Sequence, residues 1–296
     1  MTEDHPRSPY MTAQEMACPS SVPAEFDHLQ HDAAPARQSG WRRWRFPIVE
    51  VVVVLVGVIA WWVVAYLEVW PPLFVPTPAA VLQAGIEIAR DGWSGYLLYE
   101  HLWASMRRIL VGSGIAILVG VPLGLLVGTI AYARRVMWPG LTFIRALPPL
   151  AYFYLLVIWF GIGETPKVLL LVLAALPPIV LATSDAVRNV SQDRLLALET
   201  LGANRLQIVR HGVFPSVLPE VITGIRVAVL FAFTTVVAAE TINGIPGLGG
   251  MARDAQAYNQ TDVVIMAIIL IGLCGIVLDL AIQVIDRLVV PWRAQL

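Results

Sequence analysis

A few ionisable side chains stand beside long apolar runs, where a charge can do chemistry that a water-exposed charge does not. Arg145, Glu164 and Glu240 are the clearest cases, and Asn243 follows Glu240 by three residues. Ionisable groups within a membrane are costly, so they generally pair with one another or mark a route for solutes or protons. These four residues are therefore candidates for a translocation pathway or gate. For Arg145 and Glu164, which lie near the ends of apolar runs, a solvated position at the membrane interface is an equally good interpretation.

Enzyme chemistry finds no support in the sequence. A P-loop needs the pattern GxxxxGK[ST], and the single lysine, Lys167, stands between Pro166 and Val168. There is no HExxH motif, and the two cysteines do not form a pair with metal-ligand spacing. We expect a chain that is not an enzyme and binds no cofactor or metal, so that energy for transport comes from another subunit or from an ion gradient. The five histidines are scattered, at His5, His28, His31, His101 and His211.

The composition places most of the chain in a membrane. Of its 296 residues 57% are hydrophobic and only 14% are charged, whereas soluble domains carry about 25% charged residues. The first 40 residues differ, with two basic against six acidic side chains and no sustained apolar pattern. We expect residues 1–45 to form a disordered, acidic cytoplasmic tail and residues 46–296 to form one transmembrane domain.

Long uncharged runs predict an all-α integral membrane protein with about six spans, because a helix crosses the hydrocarbon core in about 20 residues. The proline pairs at 148–149 and 177–178 interrupt the third and fourth runs, and we expect each to kink or break its helix. Between the first two spans, Ala79–Arg90 has the pattern of a short amphipathic helix at the interface. The six runs are Val51–Leu67, Ile109–Ala133, Ala146–Gly163, Val168–Ser184, Val227–Ala239 and Val263–Leu278.

The distribution of arginine predicts the orientation. Most arginines fall in segments that share one side of a six-span chain, and the positive-inside rule makes that side the cytoplasm. Both termini are therefore expected in the cytoplasm, in a multi-pass protein of the cell membrane. Arg107 and Arg108, near the start of the second span, do not clearly belong to either side. The arginines that carry the prediction are Arg42, Arg43, Arg45, Arg134, Arg135, Arg188, Arg194, Arg205, Arg210, Arg287 and Arg293.

A stripe of small residues runs along the second span at every fourth position. Small residues on one helix face let another backbone approach closely, and van der Waals contact then stabilises the pair within lipid. The stripe predicts a helix–helix contact, with either another helix of this chain or a partner chain. Its residues are Gly112, Ala116, Gly120, Gly124 and Gly128.

The segment 185–220, between the fourth and fifth spans, is long and polar for this chain. Leucines at helical spacing after Ser191 predict a short helix that ends at Gly202. Asn204 can cap a second short helix, which Pro215 and Pro219 would stop before the fifth span. An elbow of this kind presents apolar side chains to water, and such a surface is typical of a docking site.

This elbow resembles the EAA loop of type I ABC importer permeases, whose pattern is Glu-Ala-Ala, three residues, Gly, nine residues, then Ile-x-Leu-Pro. Ala197, Gly202 and Pro215 match at the right spacing, whereas Leu196 occupies the glutamate position and Glu199 follows within a turn. The resemblance implies that this segment couples the permease to an ATPase. The implied coupling residues are Ala197, Glu199, Gly202, Ala203, Arg205 and Pro215.

Other stretches resemble the taurine and alkanesulfonate branch of these permeases, which also includes nitrate and bicarbonate permeases. The resemblance extends over about residues 47–293. It implies the permease fold, a second permease copy in a homodimer, two cytoplasmic ATPases that bind ATP and Mg²⁺, and an extracytoplasmic solute-binding protein; no nucleic acid is implied. The matching stretches are Pro72–Pro76, His101–Leu102, Arg145–Ala151, Trp159–Glu164, Leu218–Glu220, Ala238–Glu240, Gly247–Gly249 and Thr261–Val264.

The solute implied by this branch is taurine or another aliphatic sulfonate, with Arg145 as an attractive charge near the pathway. The glycine-rich segment 243–250 is either a flexible turn or a gate that meets the binding protein. Nitrate, bicarbonate or another small solute stays open as an alternative. So does a secondary carrier driven by protons or sodium, which would use Glu50, Glu164 and Glu240 as coupling groups but leaves the elbow without a role.

Overall fold

The computed structural model describes residues 41–204 and 207–291, with the side chains from residue 51 onward apart from those of Arg194 and Asn243. Residues 1–40 of the predicted tail and the predicted coupling residue Arg205 lie outside this range. Helix α1, Trp41–Tyr66, begins within the last five residues assigned to the tail. The chain divides into two units after Ile59, and the second unit, from Ala60 onward, contains everything described below.

Helices form nearly all the regular structure of the described ranges, in which the only β-type pairing is a single bridge between Trp93 and Tyr96. The all-α prediction is confirmed for these residues. A π-helical segment, Ile208–Val213, leads directly into α8. The remaining helices are α2 Pro78–Asp91, α3 Leu98–Thr129, α4 Ala131–Ala146, α5 Pro149–Phe160, α6 Glu164–Arg188, α7 Gln192–Thr200, α8 Phe214–Asn243, α9 Leu248–Ala257 and α10 Thr261–Val289.

Four helical segments are long and apolar enough to cross a membrane alone: α3, α6, α10, and α8 with the π-helical segment before it. Helices α4 and α5 make a fifth crossing if they are counted as one bent span, and the apolar part of α1, Val51–Tyr66, is shorter. A multi-pass membrane protein is therefore confirmed. Helices occupy the positions of all six predicted spans, while the number six and the cytoplasmic placement of both termini remain predictions.

The two proline pairs have different effects. At Leu147-Pro148 the chain breaks between α4 and α5, which meet at an angle of 97°, because a residue before proline avoids the α conformation. At Pro177 and Pro178 α6 continues as one helix, so a break there is not observed. Pro177 is buried within α6, and α6 as a whole packs against α3 and α8, so neighbouring helices can support its continuation.

Helix α8 starts well before the predicted fifth span because Arg226 does not end it. The Arg226 guanidinium donates to both carboxylate oxygens of Asp279 in α10, over 2.5 and 2.6 Å. An ion pair of this kind lowers the cost of placing a charged side chain within a membrane-spanning helix. The charge that set the predicted boundary is thus a contact between two helices.

The contact between α3 and α6 forms the centre of the second unit. At Gly112, Gly120 and Gly128 an added Cβ would lie between 2.6 and 2.9 Å from a side-chain carbon of α6. Gly124 faces Thr183 of the same helix, and Ala116 is fully buried. The stripe of small residues therefore meets α6 of the same chain, and it allows the backbones of α3 and α6 to approach closely.

Helix α2 covers a second, smaller core formed with α9 and α10. Ala84 and Ile88 of α2 pack there with Leu248 and Met251 of α9 and with Val263 of α10. The amphipathic pattern of α2 is thus satisfied by protein on its inner face. This arrangement places the start of α9 beside the first turns of α3, where the Leu248 amide donates to the Ser105 hydroxyl.

Candidate functional site

The predicted elbow is a pair of short helical segments around a left-handed glycine. Helix α7 ends at Thr200, and Gly202 has φ = +77°, a conformation that favours glycine over any residue with a Cβ. The Gly202 and Ala203 amides donate to the carbonyls of Glu199 and Leu198 over 2.9 and 3.1 Å. These bonds satisfy the end of α7 and reverse the chain toward the next segment.

Asn204 starts the second segment as predicted. The Gln207 amide donates to Asn204 Oδ1 over 2.9 Å, and the Asn204 amide donates to Gln207 Oε1 over 2.8 Å. This reciprocal pair is a capping box. The prediction that Pro215 and Pro219 stop the segment is wrong, because both prolines lie inside α8: Pro215 occupies its first turn, where an amide proton is not needed, and Pro219 lies one turn later.

The apolar side chains of the elbow divide between two faces. Leu195 and Ile208 pack against the ends of α6 and α8, while Leu198 lies directly over Gly212. Leu196 and Leu201 point outward and are 57% and 83% exposed. Leu196, which occupies the glutamate position of the EAA pattern, is therefore on the free surface of the elbow. Of the predicted coupling residues that are described, Ala197, Glu199 and Gly202 are exposed, and Ala203 and Pro215 are half-buried.

A buried ion-pair network lies at the opposite ends of α6 and α8. Arg108 of α3 is 1% exposed and donates to Glu240 of α8 over 2.6 Å. It also donates to both oxygens of Glu164, the first residue of α6, over 2.6 and 2.7 Å. Lys167 lies 3.5 Å from the same carboxylate, and so does the exposed Arg107. One arginine therefore joins three helices, since both acids converge on it.

The glycine loop before α9 is bonded onto this network. The Glu240 carboxylate accepts from the Gly249 amide over 3.0 Å and from the Ser105 hydroxyl over 2.8 Å. The Ser105 hydroxyl in turn accepts from the Leu248 amide over 3.0 Å. A Cβ at Gly247 would lie 2.6 Å from the Glu240 carboxylate carbon. The interpretation of this segment as a flexible turn is therefore wrong for 247–249, whose amides are held by buried side chains.

His101 completes the attachment of the loop. Its Nε2 lies 3.2 Å from the carbonyl oxygen of Trp93, and only an N–H can pair with a carbonyl. Nδ1 lies 3.1 Å from the Gly247 carbonyl oxygen and 3.2 Å from the Gly247 amide nitrogen, so backbone atoms contact both nitrogens of the ring. The His101 ring is fully buried, so these contacts cannot be exchanged for water.

The sequence patterns indicated Glu164 and Glu240, but not Ser105 and Arg108, which bind these two acids, or the role of His101 in holding the glycine loop. His101, Ser105 and Arg108 follow the spacing of the small-residue stripe backward along α3, with steps of three or four residues. Residues at this spacing share one helix face, so the continuation of the stripe into polar side chains was the available signal. Asn243 ends α8, and Arg145 is not part of the network.

Arg145 instead lines a cavity of about 570 Å³ between the α4–α5 bend, α6 and α8. Most of the wall is apolar, but Asp185 and Glu220 also face this cavity, together with Tyr152. Pro177 and Pro178 cannot donate to the carbonyls four residues earlier, those of Leu173 and Ala174, and both of these residues line the cavity too. The cavity thus offers one cation and two carboxylates to a small polar solute.

No group of three or more His, Cys, Asp and Glu side chains with the geometry of a metal site occurs in the described part of the chain. The described residues instead form an ion-pair network, a cavity and an exposed elbow.

Comparisons with known proteins agree with this arrangement. A family profile described as "Binding-protein-dependent transport system inner membrane component" matches residues 120–291. The taurine transport system permease protein TauC of Escherichia coli (strain K12) is 38% identical over 259 residues, which is 86% of this chain and 94% of TauC. The SsuC permease protein of the same organism, named for aliphatic sulfonates transport, is 32% identical over 80% of this chain and 89% of its own.

Among solved structures, the inward-facing methionine ABC transporter MetNI contains a chain that superposes with a TM-score of 0.53 at 18% identity. The superposition covers 63% of this chain and 95% of the other. At this identity the likeness concerns the fold alone. The fold is that of an ABC importer permease.

Proposed function

Because the chain belongs to the family of binding-protein-dependent transport system inner membrane components, and is thus a permease of an ABC importer, we propose that its solute is taurine or a closely related aliphatic sulfonate. The cavity between α4–α5, α6 and α8 carries this proposal. Taurine has a sulfonate at one end and an ammonium group at the other. Arg145 can pair with the sulfonate, and Asp185 and Glu220 can accept from the ammonium group.

The charges of the cavity favour this zwitterion over the alternatives. Nitrate and bicarbonate could pair with Arg145, but they carry no cationic group and would leave the carboxylates of Asp185 and Glu220 without a partner. The similarity to TauC over nearly the full length of that relative supports the same choice.

ATP hydrolysis by partner subunits would drive the transport. We propose a complex of two permease copies, two cytoplasmic ATPases that bind ATP and Mg²⁺, and a solute-binding protein on the other side. The exposed Leu196 and Leu201 would anchor the elbow on an ATPase, with Glu199, Gly202 and Ala203 between them. Arg205 belongs to the same proposal by its position in the sequence.

The ion-pair network would connect the elbow mechanically to the far ends of α6 and α8. Arg108 binds α3 to the start of α6 and the end of α8, while the elbow joins the other ends of α6 and α8. A displacement of the elbow would therefore reach the loop 247–249 without being lost in bending of separate helices. A secondary carrier, by contrast, needs acids that are free to exchange protons or sodium, and Glu164 and Glu240 are both occupied by Arg108.

Reconstitution tests both levels of the proposal. Proteoliposomes that contain the permease, its ATPase and its binding protein should accumulate labelled taurine only with ATP and Mg²⁺, and unlabelled taurine should compete better than ethanesulfonate, nitrate or bicarbonate. Uptake by the chain alone would refute the ABC mechanism. ATP-dependent uptake that nitrate or bicarbonate abolishes more effectively than taurine would leave the mechanism intact and overturn the solute.

A further inference from the structure

A second cavity, of about 500 Å³, lies at the end of α4 and α6 that adjoins the elbow. Three of the six residues that line it are arginines: Arg134 and Arg135 from the first turn of α4 and Arg188 from the last turn of α6. Trp138, one turn further along α4, forms part of the wall and is half-buried. The transport pathway proposed above does not use any of these side chains.

The positive charge of this cavity is largely uncompensated. Within the described ranges neither Arg134 nor Arg135 has a carboxylate within the 4.0 Å limit of an ion pair, and Arg188 has only Asp185, at 3.9 Å. Helix α4 also begins without a side-chain cap, so its first amides remain available as donors on the positive end of the helix dipole. Two guanidinium groups without partners, a third beside them and free amides together favour an oxyanion with several acceptor oxygens, such as a phosphate group.

The surroundings of the cavity indicate where that phosphate comes from. Ile130, Tyr132 and Val136, at the same end of α4, are 46%, 77% and 60% exposed. These exposed apolar side chains alternate in sequence with Arg134 and Arg135 at the start of α4, so apolar and basic side chains share this end of the helix. A headgroup phosphate seated among the arginines would leave its acyl chains against this surface, whereas a free phosphate would gain nothing from it.

We propose that Arg134, Arg135 and Arg188 form a binding site for the phosphate of an anionic phospholipid, such as phosphatidylglycerol. The two helices that it would join are α4, which carries the Arg145 side of the solute cavity, and α6, which runs into the elbow after Arg188. The lipid would thus fasten the wall of the cavity to the base of the coupling segment. This inference does not depend on the identity of the solute.

Native mass spectrometry of the permease, purified as the complete complex and exchanged into phosphatidylcholine with added phosphatidylglycerol, measures the site directly. The wild type should retain phosphatidylglycerol in preference to phosphatidylcholine. The double variant Arg134→Gln/Arg135→Gln should bind it about 30-fold more weakly, since one basic side chain at an anionic surface contributes about fivefold. Arg188→Gln, on a separate helix, should lower retention about fivefold and guards against a folding defect in the double variant.

Arg287→Gln is the matched control. Arg287 is also an exposed arginine in the last turn of a spanning helix, α10, but it does not line the cavity. Its loss should leave retention unchanged. Equal retention of both lipids by the wild type, or an equal loss in Arg287→Gln, would overturn the proposal. Displacement of the lipid by millimolar inorganic phosphate would also overturn it, because it would identify a free anion as the ligand. Loss of the ATPase from the double variant with lipid retention intact would overturn it as well, because it would identify a protein contact.

Discussion

Replacing Arg108 by methionine removes the cation on which two carboxylates converge. Methionine keeps much of the volume of the side chain, so the change is mainly one of charge. Glu240, which is 0% exposed, is then left as a buried carboxylate without a cation, whereas Glu164, 43% exposed, still has Lys167 and Arg107 at 3.5 Å and can reach water. Removal of one partner of a buried ion pair costs about 3–5 kcal/mol, so we expect a loss of that size.

The complementary change should cost much less. In Glu240→Gln the amide oxygen can still accept from Gly249 and Ser105, and Arg108 keeps both oxygens of Glu164. We expect a loss of about 1.5–3 kcal/mol, that of a hydrogen bond to a charged group. The double variant Arg108→Met/Glu240→Gln contains no buried unpaired charge at position 240, and it should recover about 2–3 kcal/mol relative to the sum of the single changes.

Scanning fluorimetry of the detergent-purified permease measures these differences. At about 2–4 °C per kcal/mol for a chain of this size, Arg108→Met should lower Tm by roughly 6–20 °C. Arg107→Met is the matched control: its side chain is 56% exposed and 3.5 Å from Glu164, so Tm should change by no more than about 4 °C. A Glu240→Gln variant as unstable as Arg108→Met, or a double variant that shows simple addition, would refute the assignment of the cost to a stranded Glu240.

Four further perturbations test other parts of the molecule. Gly202→Val forces a β-branched residue to φ = +77°, which costs roughly 1–2 kcal/mol in the turn; uptake and transport-coupled ATPase activity should fall several-fold while solute capture by the binding protein is unchanged. Gly120→Val should lower Tm by several degrees because its Cβ would lie 2.9 Å from a methyl carbon of α6, whereas Gly114→Val, with nothing within 4 Å, should not. Leu201→Asp, at an 83% exposed position, should reduce co-purification of the ATPase without lowering Tm. Glu220→Gln should raise the apparent KM for taurine about fivefold or more but leave the inhibition by ethanesulfonate unchanged, and an equal effect on both solutes would remove Glu220 from ammonium recognition.

Local sequence patterns predicted most helices and much of the elbow. The end of α7 at Gly202 and the cap at Asn204 depend on neighbouring backbone groups, so residue type and spacing were sufficient. The same patterns did not indicate which leucines of the elbow face outward. Leu195 and Leu198 turn inward because α6, α8 and Gly212 lie there, and these are contacts between elements.

The prolines illustrate the same limit. Both pairs remove the same backbone donors, yet one breaks the chain and the other lies within a continuous helix. The outcome depends on the packing around each pair, which the sequence of the pair does not contain.

The sequence by itself indicated a membrane protein, because apolar composition and the length of uncharged runs can be read without any tertiary contact, and its motifs were sufficient to resemble those of the permease family. Only the tertiary structure showed that Arg108 pairs with both Glu164 and Glu240, and that Glu240 accepts a hydrogen bond from the Gly249 amide of the loop 247–249. These partners are 56 and 132 residues from Arg108 along the chain. Each charge alone is unfavourable in a membrane, and the folded arrangement that brings them within hydrogen-bond distance is what makes all three tolerable.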